Sequence, residues 1–172
     1  CKDNSITFVS IDGYRLAMRR SPSNCVSEER SVVVPGKTLN EISKIIQNVD
    51  DEMDIYSTSS QIMFDLGNCK IVSRLIEGEF LNYNSIIPKE HETKITIDTK
   101  EFLSCLERAS LVITSDERRY PVNFDISNDR MVITTNTDVG NAREEIKLEM
   151  EGSDVDIAFN PRYFIEALKV ID

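Results

Sequence analysis

The feature that most constrains this chain is the dipeptide Asp12-Gly13, set in the run Ser5-Ile6-Thr7-Phe8-Val9-Ser10-Ile11-Asp12-Gly13-Tyr14-Arg15-Leu16-Ala17-Met18. A two-residue turn of the primed type needs positive φ, which Gly tolerates and Asp accepts, so this pair between alternating segments predicts an antiparallel hairpin. Ile6, Phe8 and Ser10 share one face of the first strand, and Thr7, Val9 and Ile11 the other. On the return strand Tyr14, Leu16 and Met18 oppose Arg15, Ala17 and Arg19, so one basic side chain follows directly on the turn.

Beyond a polar surface loop at 21–30, the β-branched stretch 31–35 predicts a short strand, and Gly36-Lys37 open a helix running to about residue 47. Leu39, Ile42, Ile45 and Ile46 form its apolar stripe. Strands at 53–57, 61–65 and 69–76, joined by Ser57-Thr58-Ser59-Ser60 and Gly67-Asn68, predict an antiparallel meander. Residues 78–93 follow neither period and read as a connector, but Leu81 and Ile86 make it too apolar for a free linker, so it should dock on the domains it joins. This divides the chain into 1–77, the connector 78–93 and a second unit, 94–172.

The second unit opens with a strand at 94–97. Asp98 and Glu101 then form a capping box ahead of a helix whose buried stripe is Phe102, Leu103, Leu106 and Ala109. A charged loop at 115–119 precedes strands at 122–126, 131–135, 142–149 and 155–159, with turns at Asn128-Asp129 and Val139-Gly140-Asn141. Asn160-Pro161 start the last helix, Asn as N-cap and Pro at the first helical position. The strand-then-helix unit at 32–46 recurs at 156–171, and more loosely at 95–106. Such repeats among antiparallel strands point to an α+β chain with helices covering one face of sheets.

The length of 172 residues suits one or two domains. The four cysteines, Cys1, Cys25, Cys69 and Cys105, are too scattered for a metal pair or a disulfide framework, and Cys105 reads as a small core residue. His91 is the only histidine, and there is no Gly-rich phosphate loop, so a histidine-based triad and a multi-histidine zinc site find no residues here, while Asp and Glu are too abundant to inform on carboxylate catalysis. The acidic cluster Asp50, Asp51, Glu52 and Asp54 reads as a solvated loop rather than a metal site. No apolar run approaches the roughly 20 residues of a membrane span. We therefore expect a non-catalytic, cytoplasmic chain without metal or cofactor.

The formal net charge is −10. A protein that gripped phosphates over its whole surface would be basic. The charge is unevenly distributed, however: the three predicted helices together are near neutral, so the acidity lies in strands and loops. That partition favours an acidic exterior and a near-neutral or basic helical face.

The run Ile11-Asp12-Gly13-Tyr14-Arg15-Leu16-Ala17 resembles a signature of the bacterial sliding clamp, the beta subunit of DNA polymerase III. Further stretches resemble the same family in the same order. They are Val32-Val33-Val34-Pro35-Gly36-Lys37, Ser73-Arg74-Leu75-Ile76-Glu77-Gly78-Glu79-Phe80, Ile86-Ile87-Pro88, and Phe159-Asn160-Pro161-Arg162-Tyr163 with Ala167-Leu168-Lys169-Val170. The resemblance covers essentially the whole chain but corresponds to the second half of the middle clamp domain and most of the last, so a fragment is expected. It implies an α+β DNA clamp fold with sheets outside and helices lining a channel, in a homodimeric ring that encircles duplex DNA during replication. Its implied partners are the polymerase III catalytic subunit, the clamp loader, and other replication and repair proteins; a peptide-binding scaffold without a DNA role is the alternative.

The resemblance also implies site residues. A pocket for short apolar peptides would be lined by Ile11, Gly13, Tyr14, Arg15, Leu16, Leu81, Ser85, Ile86, Asn160 and Tyr163. Tyr14 stands where the family more often has His, Leu81 where it has Pro, and Ser85 where it has Arg. Lys37, Lys44, Lys100 and Arg108 would face DNA. Leu111 and Val112, read as extending the helix's apolar face, would close the dimer.

Overall fold

In the computed structural model, which describes residues 4–24, 30–46, 52–113 and 120–171, the chain turns at Asp12-Gly13 through a longer loop than the sequence predicts. Strands β1 (Ser5–Ile11) and β2 (Leu16–Pro22) pair antiparallel with Ile11 opposite Leu16, which leaves four loop residues rather than two. The reason lies in Asp12. The type I′ turn that Asp-Gly favours requires positive φ at both central residues, yet only Gly13 takes it, at +87°. Asp12 instead closes the loop with its side chain, as a short acidic residue at a turn is able to do. The two-residue turn occurs elsewhere, at Asn128-Asp129, where both residues have positive φ, 51° and 57°.

Two compact units divide the chain, Cys1–Ile87 and Pro88–Asp172. In the first, β1 and β2 form a sheet of their own, and their apolar side chains are not sequestered: Phe8 is 41% and Met18 52% exposed. Helix α1 (Gly36–Ile45) is shorter than the apolar stripe suggests. The strand expected at 31–35 reduces to one bridge, Val33 to Ile76, because Pro35 lacks the N–H a ladder needs. Strands β3 (Asp54–Ser57), β4 (Gln61–Asp65) and β5 (Lys70–Arg74) form the meander. The core is small: Ile42 of α1 sits among Ile62 and Phe64 of β4, ringed by Val32, Val34, Leu39, Ile71 and Leu75.

The second unit has the larger core. Strand β6 (Thr93–Thr96) leads into α2 (Thr99–Ala109), whose first turn is capped by the Asp98 carboxylate accepting the Glu101 N–H at 2.8 Å. Strands β7 (Val122–Ser127), β8 (Arg130–Thr137) and β9 (Gly140–Lys147) follow. With β11 (Val155–Phe159) they make an antiparallel sheet ordered β11–β7–β8–β9. The strand expected at 142–149 is broken at buried Leu148, whose N–H donates to the Asp129 carbonyl at 3.0 Å. Past that point β10 (Glu149–Gly152) leaves the four-stranded sheet and pairs with β6.

Helix α2 presents Phe102, Cys105, Leu106 and Ala109 to this sheet; Cys105 takes the buried place expected of Leu103. These meet Val122, Phe124, Ile126, Met131, Ile133 and Ile146, all buried. Helix α3 (Pro161–Leu168) closes the other end through Phe164, whose ring lies 5.5 Å from Phe124 and 5.9 Å from Phe102, edge to face.

The acidic residues Asp50 and Asp51, Cys1, Cys25, the end of the helix expected at residue 47, the charged loop at 115–119 and part of the loop at 21–30 lie outside the described residues.

Two substitutions test this packing. Gly152 has φ +111°, and a Cβ there would collide with the Glu92 carbonyl oxygen, so Gly152→Ala should cost more than about 2 kcal/mol in denaturant unfolding. The Thr135 hydroxyl is the one fully buried side-chain oxygen without a hydrogen-bond partner among the described residues. Thr135→Val keeps the shape and removes the orphan, and should raise stability by about 1 kcal/mol in the same assay.

Candidate functional site

The residues expected to receive a peptide fall into three local groups, one on the hairpin, one on the connector and one on α3. On the hairpin loop, Asp12 accepts three hydrogen bonds. Its Oδ1 takes the N–H groups of Tyr14 and Arg15, each at 3.2 Å, and its Oδ2 takes Nε–H of Arg15 at 2.9 Å. The hydrogen bond from Arg15, with that from the Tyr14 N–H next, holds the Asp12 carboxyl below the usual carboxylate range. Tyr14 projects from the loop at 81% exposure, while Leu16 beside it is half-buried opposite Ile11.

Along the connector, Tyr83–Ser85 form a single 3-10 turn. The Ser85 hydroxyl donates to the Asn82 carbonyl at 2.7 Å and the Ile86 N–H to the Tyr83 carbonyl at 3.0 Å, which fixes a local shape where no periodic element forms. Leu81 and Ile86 remain 61% and 52% exposed on it. In the second unit, Asn160 caps α3, its Oδ1 accepting the Arg162 N–H at 3.1 Å. Pro161 is buried, and the rings of Phe159 and Phe164 on either side of this cap lie 4.9 Å apart. That anchorage sets the position of Asn160 and of Tyr163 one turn later.

The four cations expected to face DNA lie on the outer faces of helices. Lys37 and Lys44 are on the side of α1 away from buried Ile42, and Lys44 pairs with Glu41 at 2.9 Å. Lys100 is exposed on the first turn of α2. Arg108 is tied back on its own unit: Nε and Nη2 donate to Oε2 of Glu144 on β9 at 3.0 and 2.6 Å, and Nη1 donates to Ser104 Oγ at 2.8 Å. This hydrogen bond holds the Glu144 carboxyl below its ordinary value and raises Arg108 further. Beneath the pair, burial pushes the Cys105 thiol up, as befits a core residue.

Leu111 and Val112 do not extend the helix as expected. Helix α2 ends at Ala109: Ser110 is the C-cap, and beyond it the chain tightens into a turn in which the Leu111 N–H donates to the Arg108 carbonyl at 3.1 Å. The pair continues in a turn, with Leu111 80% exposed and Val112 half-buried. The Thr137 hydroxyl lies 3.1 Å from the Val112 carbonyl, which brings the β8–β9 turn against this segment, and the 64% exposed Val139 sits in that turn. The sequence shows Val139 only as a turn residue, unusual there in being β-branched and apolar. Asp12 too reads only as a turn former, although an acid three residues before Arg15 signals the pair.

Among the described residues no group of three or more His, Cys, Asp or Glu side chains is arranged to hold a metal ion. No described helix is long and apolar enough to cross a membrane.

Two domain families of the DNA polymerase III beta subunit match consecutive parts of the chain, the central domain over residues 1–82 and the C-terminal domain over residues 84–172. The chain belongs to the DNA polymerase III beta subunit family. It is 32% identical to the beta sliding clamp of Staphylococcus aureus over 173 aligned residues, which covers 99% of this chain and 46% of that protein. The chain thus spans about half the length of the curated relatives it matches. Among solved structures, the Bacillus subtilis DNA polymerase sliding clamp superposes with TM-score 0.91 at 33% identity, over 100% of this chain and 46% of that one. A Eubacterium rectale protein assigned to the DNA polymerase III beta subunit gives TM-score 0.94 at 38% identity, over 100% and 47%. The α+β architecture of two antiparallel-sheet units with few helices is that of the sliding clamps.

The Arg108–Glu144 pair gives a pH prediction with a definite sign. A carboxyl held below its ordinary value, 4.5, contributes stability above that pH and loses it as pH falls through the lower folded value. Glu144→Gln should therefore flatten the loss of thermal stability between about pH 5 and pH 3, leaving the melting temperature near pH 7 only slightly lower, since a partly exposed pair contributes modestly.

Proposed function

We propose that this chain is part of a processivity clamp, a non-catalytic subunit that encircles duplex DNA without reading sequence and tethers the replicative polymerase to it. The observation that carries the reading is the match of the central and C-terminal beta subunit domains, in order, over residues 1–82 and 84–172. Physical features agree with it. The net charge of −10 is unsuited to gripping phosphates over the whole surface, whereas a ring needs only a permissive lining. Lys37, Lys44, Lys100 and Arg108 on the outer faces of α1 and α2 supply that lining, in a homodimer that Leu111 and Val112 help to close. Arg108, neutralised locally by Glu144, contributes least of the four.

In this reading the hairpin loop, the connector turn and the start of α3 receive a short peptide bearing leucine and phenylalanine side chains, supplied by the polymerase, the clamp loader or repair proteins. Apolar Tyr14, Leu16, Leu81, Ile86 and Tyr163 provide area, and Arg15 and Asn160 provide the few polar groups that orient a peptide backbone. Burying two such side chains supplies about 1.5–3 kcal/mol each, which after the cost of association corresponds to micromolar rather than nanomolar affinity.

Retention on closed circular DNA tests the clamp reading. Protein loaded onto a circle should stay through a salt wash and slide off when the circle is cut; equal retention on linear DNA, or none on either, would contradict it. Replacing Lys37, Lys44, Lys100 and Arg108 together by Gln should reduce the salt slope of DNA association by a fraction of the roughly −0.9 expected per firm phosphate contact. For the pocket, Leu16→Ala or Tyr163→Ala should weaken a peptide titration by about tenfold or more, and Arg19→Ala by much less.

A further inference from the structure

We propose that Asp12 is a positioning residue of the peptide pocket, orienting the Arg15 guanidinium through one carboxylate oxygen while the other oxygen shapes the loop. The inference rests on the pocket reading above and extends it to a residue that the peptide need not touch.

The two oxygens do different work. Oδ1 lies 3.2 Å from the backbone nitrogens of both Tyr14 and Arg15 and so sets the path of the loop. Oδ2 lies 2.9 Å from Arg15 Nε. Because Nε is coplanar with the rest of the guanidinium, a hydrogen bond there fixes the plane of the whole group, not merely the position of one charge. A side chain already held in one plane loses less conformational freedom when a ligand engages it. The hydrogen bond from Arg15, which holds the Asp12 carboxyl below the usual carboxylate range, is in keeping with a charge-assisted pair.

The same local device appears at a second turn with no expected role in binding. Asp65 Oδ1 accepts the Gly67 N–H at 3.0 Å and Oδ2 accepts Lys70 Nζ at 2.7 Å. An acid that closes its own turn and pairs with a downstream cation is thus a general structural solution in this chain. What distinguishes Asp12 is that its cation is planar, is held through Nε, and stands beside Tyr14 and Leu16. Asp65 therefore serves as an internal control for the purely structural role.

Asp12→Asn separates the two functions chemically. The amide oxygen can still accept the Tyr14 and Arg15 N–H groups, but an NH2 in place of Oδ2 faces the Arg15 Nε–H donor to donor. In the full chain, Asp12→Asn should lower the melting temperature only slightly, well short of Asp12→Ala, and remove the protected Arg15 Nε–H signal from a proton–nitrogen correlation spectrum. It should weaken binding of a fluorescein-labelled synthetic peptide carrying adjacent leucine and phenylalanine by about three- to fivefold. In an Arg15→Gln background it should weaken binding no further, since the two residues act as a unit. Asp65→Asn should leave peptide affinity unaltered.

Wild-type affinity in Asp12→Asn, the same fold loss in the Arg15→Gln background, or an equal loss in Asp65→Asn would overturn the proposal. So would a fall in melting temperature as large as that of Asp12→Ala, which would make the loop rather than the arginine the cause. Failure of the wild type to bind the peptide, or full affinity in Leu16→Ala, would instead overturn the pocket reading and this proposal with it. The Arg15 Nε–H signal would then still report the pair by itself, so the two failures are distinguishable.

Discussion

The second unit depends on one packing contact, the apolar stripe of α2 laid across the strands β7, β8 and β9. Leu106, Ala109, Val122 and Ile133 are wholly buried in it. An 11-residue helix is marginal alone in water, and tertiary burial of one face is what holds it. That burial fixes which face of α2 is outward, and therefore where Lys100 and Arg108 emerge. It also gives Phe164 an aromatic surface to meet, so the start of α3, with Asn160 and Tyr163, is set by the same core.

The first unit repeats the scheme with less material. Among the described residues Ile42, Ile62 and Phe64 form its buried centre, and the β1–β2 hairpin is a two-stranded sheet with Phe8 and Met18 partly in water. Isolated two-stranded hairpins are marginally stable, so loop chemistry carries more of the organisation there than burial does. The three hydrogen bonds accepted by Asp12 are that chemistry, and they shape the loop that carries Gly13, Tyr14 and Arg15, three of the residues the family resemblance assigns to peptide binding.

Much of this was legible in the sequence, and the exceptions have identifiable causes. The capped starts of α2 and α3 were readable because Asp98 and Asn160 satisfy exposed N–H groups locally. The meander β3–β4–β5 was readable from short polar turns between alternating strands. The Asp12-Gly13 turn type was not, because backbone preference and side-chain capping favour different loops from the same dipeptide, and capping prevailed. The break at Leu148 was hidden by a continuous strand-like pattern from 142 to 149; the N–H of Leu148 is taken by Asp129, a contact far away in sequence. Leu111 misled because an apolar residue after a helix looks like more helix, whereas the chain tightens into a turn from Ser110 on. For the candidate site, the residues themselves came from family resemblance; periodicity could not have selected Arg15 or Asn160 from other turn and cap residues.

The central physical claim is that two separately cored units of unequal strength carry a hairpin organised mainly by its loop. Native-state hydrogen exchange of the full chain tests it most directly. The account predicts the slowest amides in α2, β7 and β8, a second and less protected set in α1 and β4, and β1–β2 amides exchanging ahead of both. A single uniform protection level throughout, or hairpin amides as slow as those of β8, would contradict it.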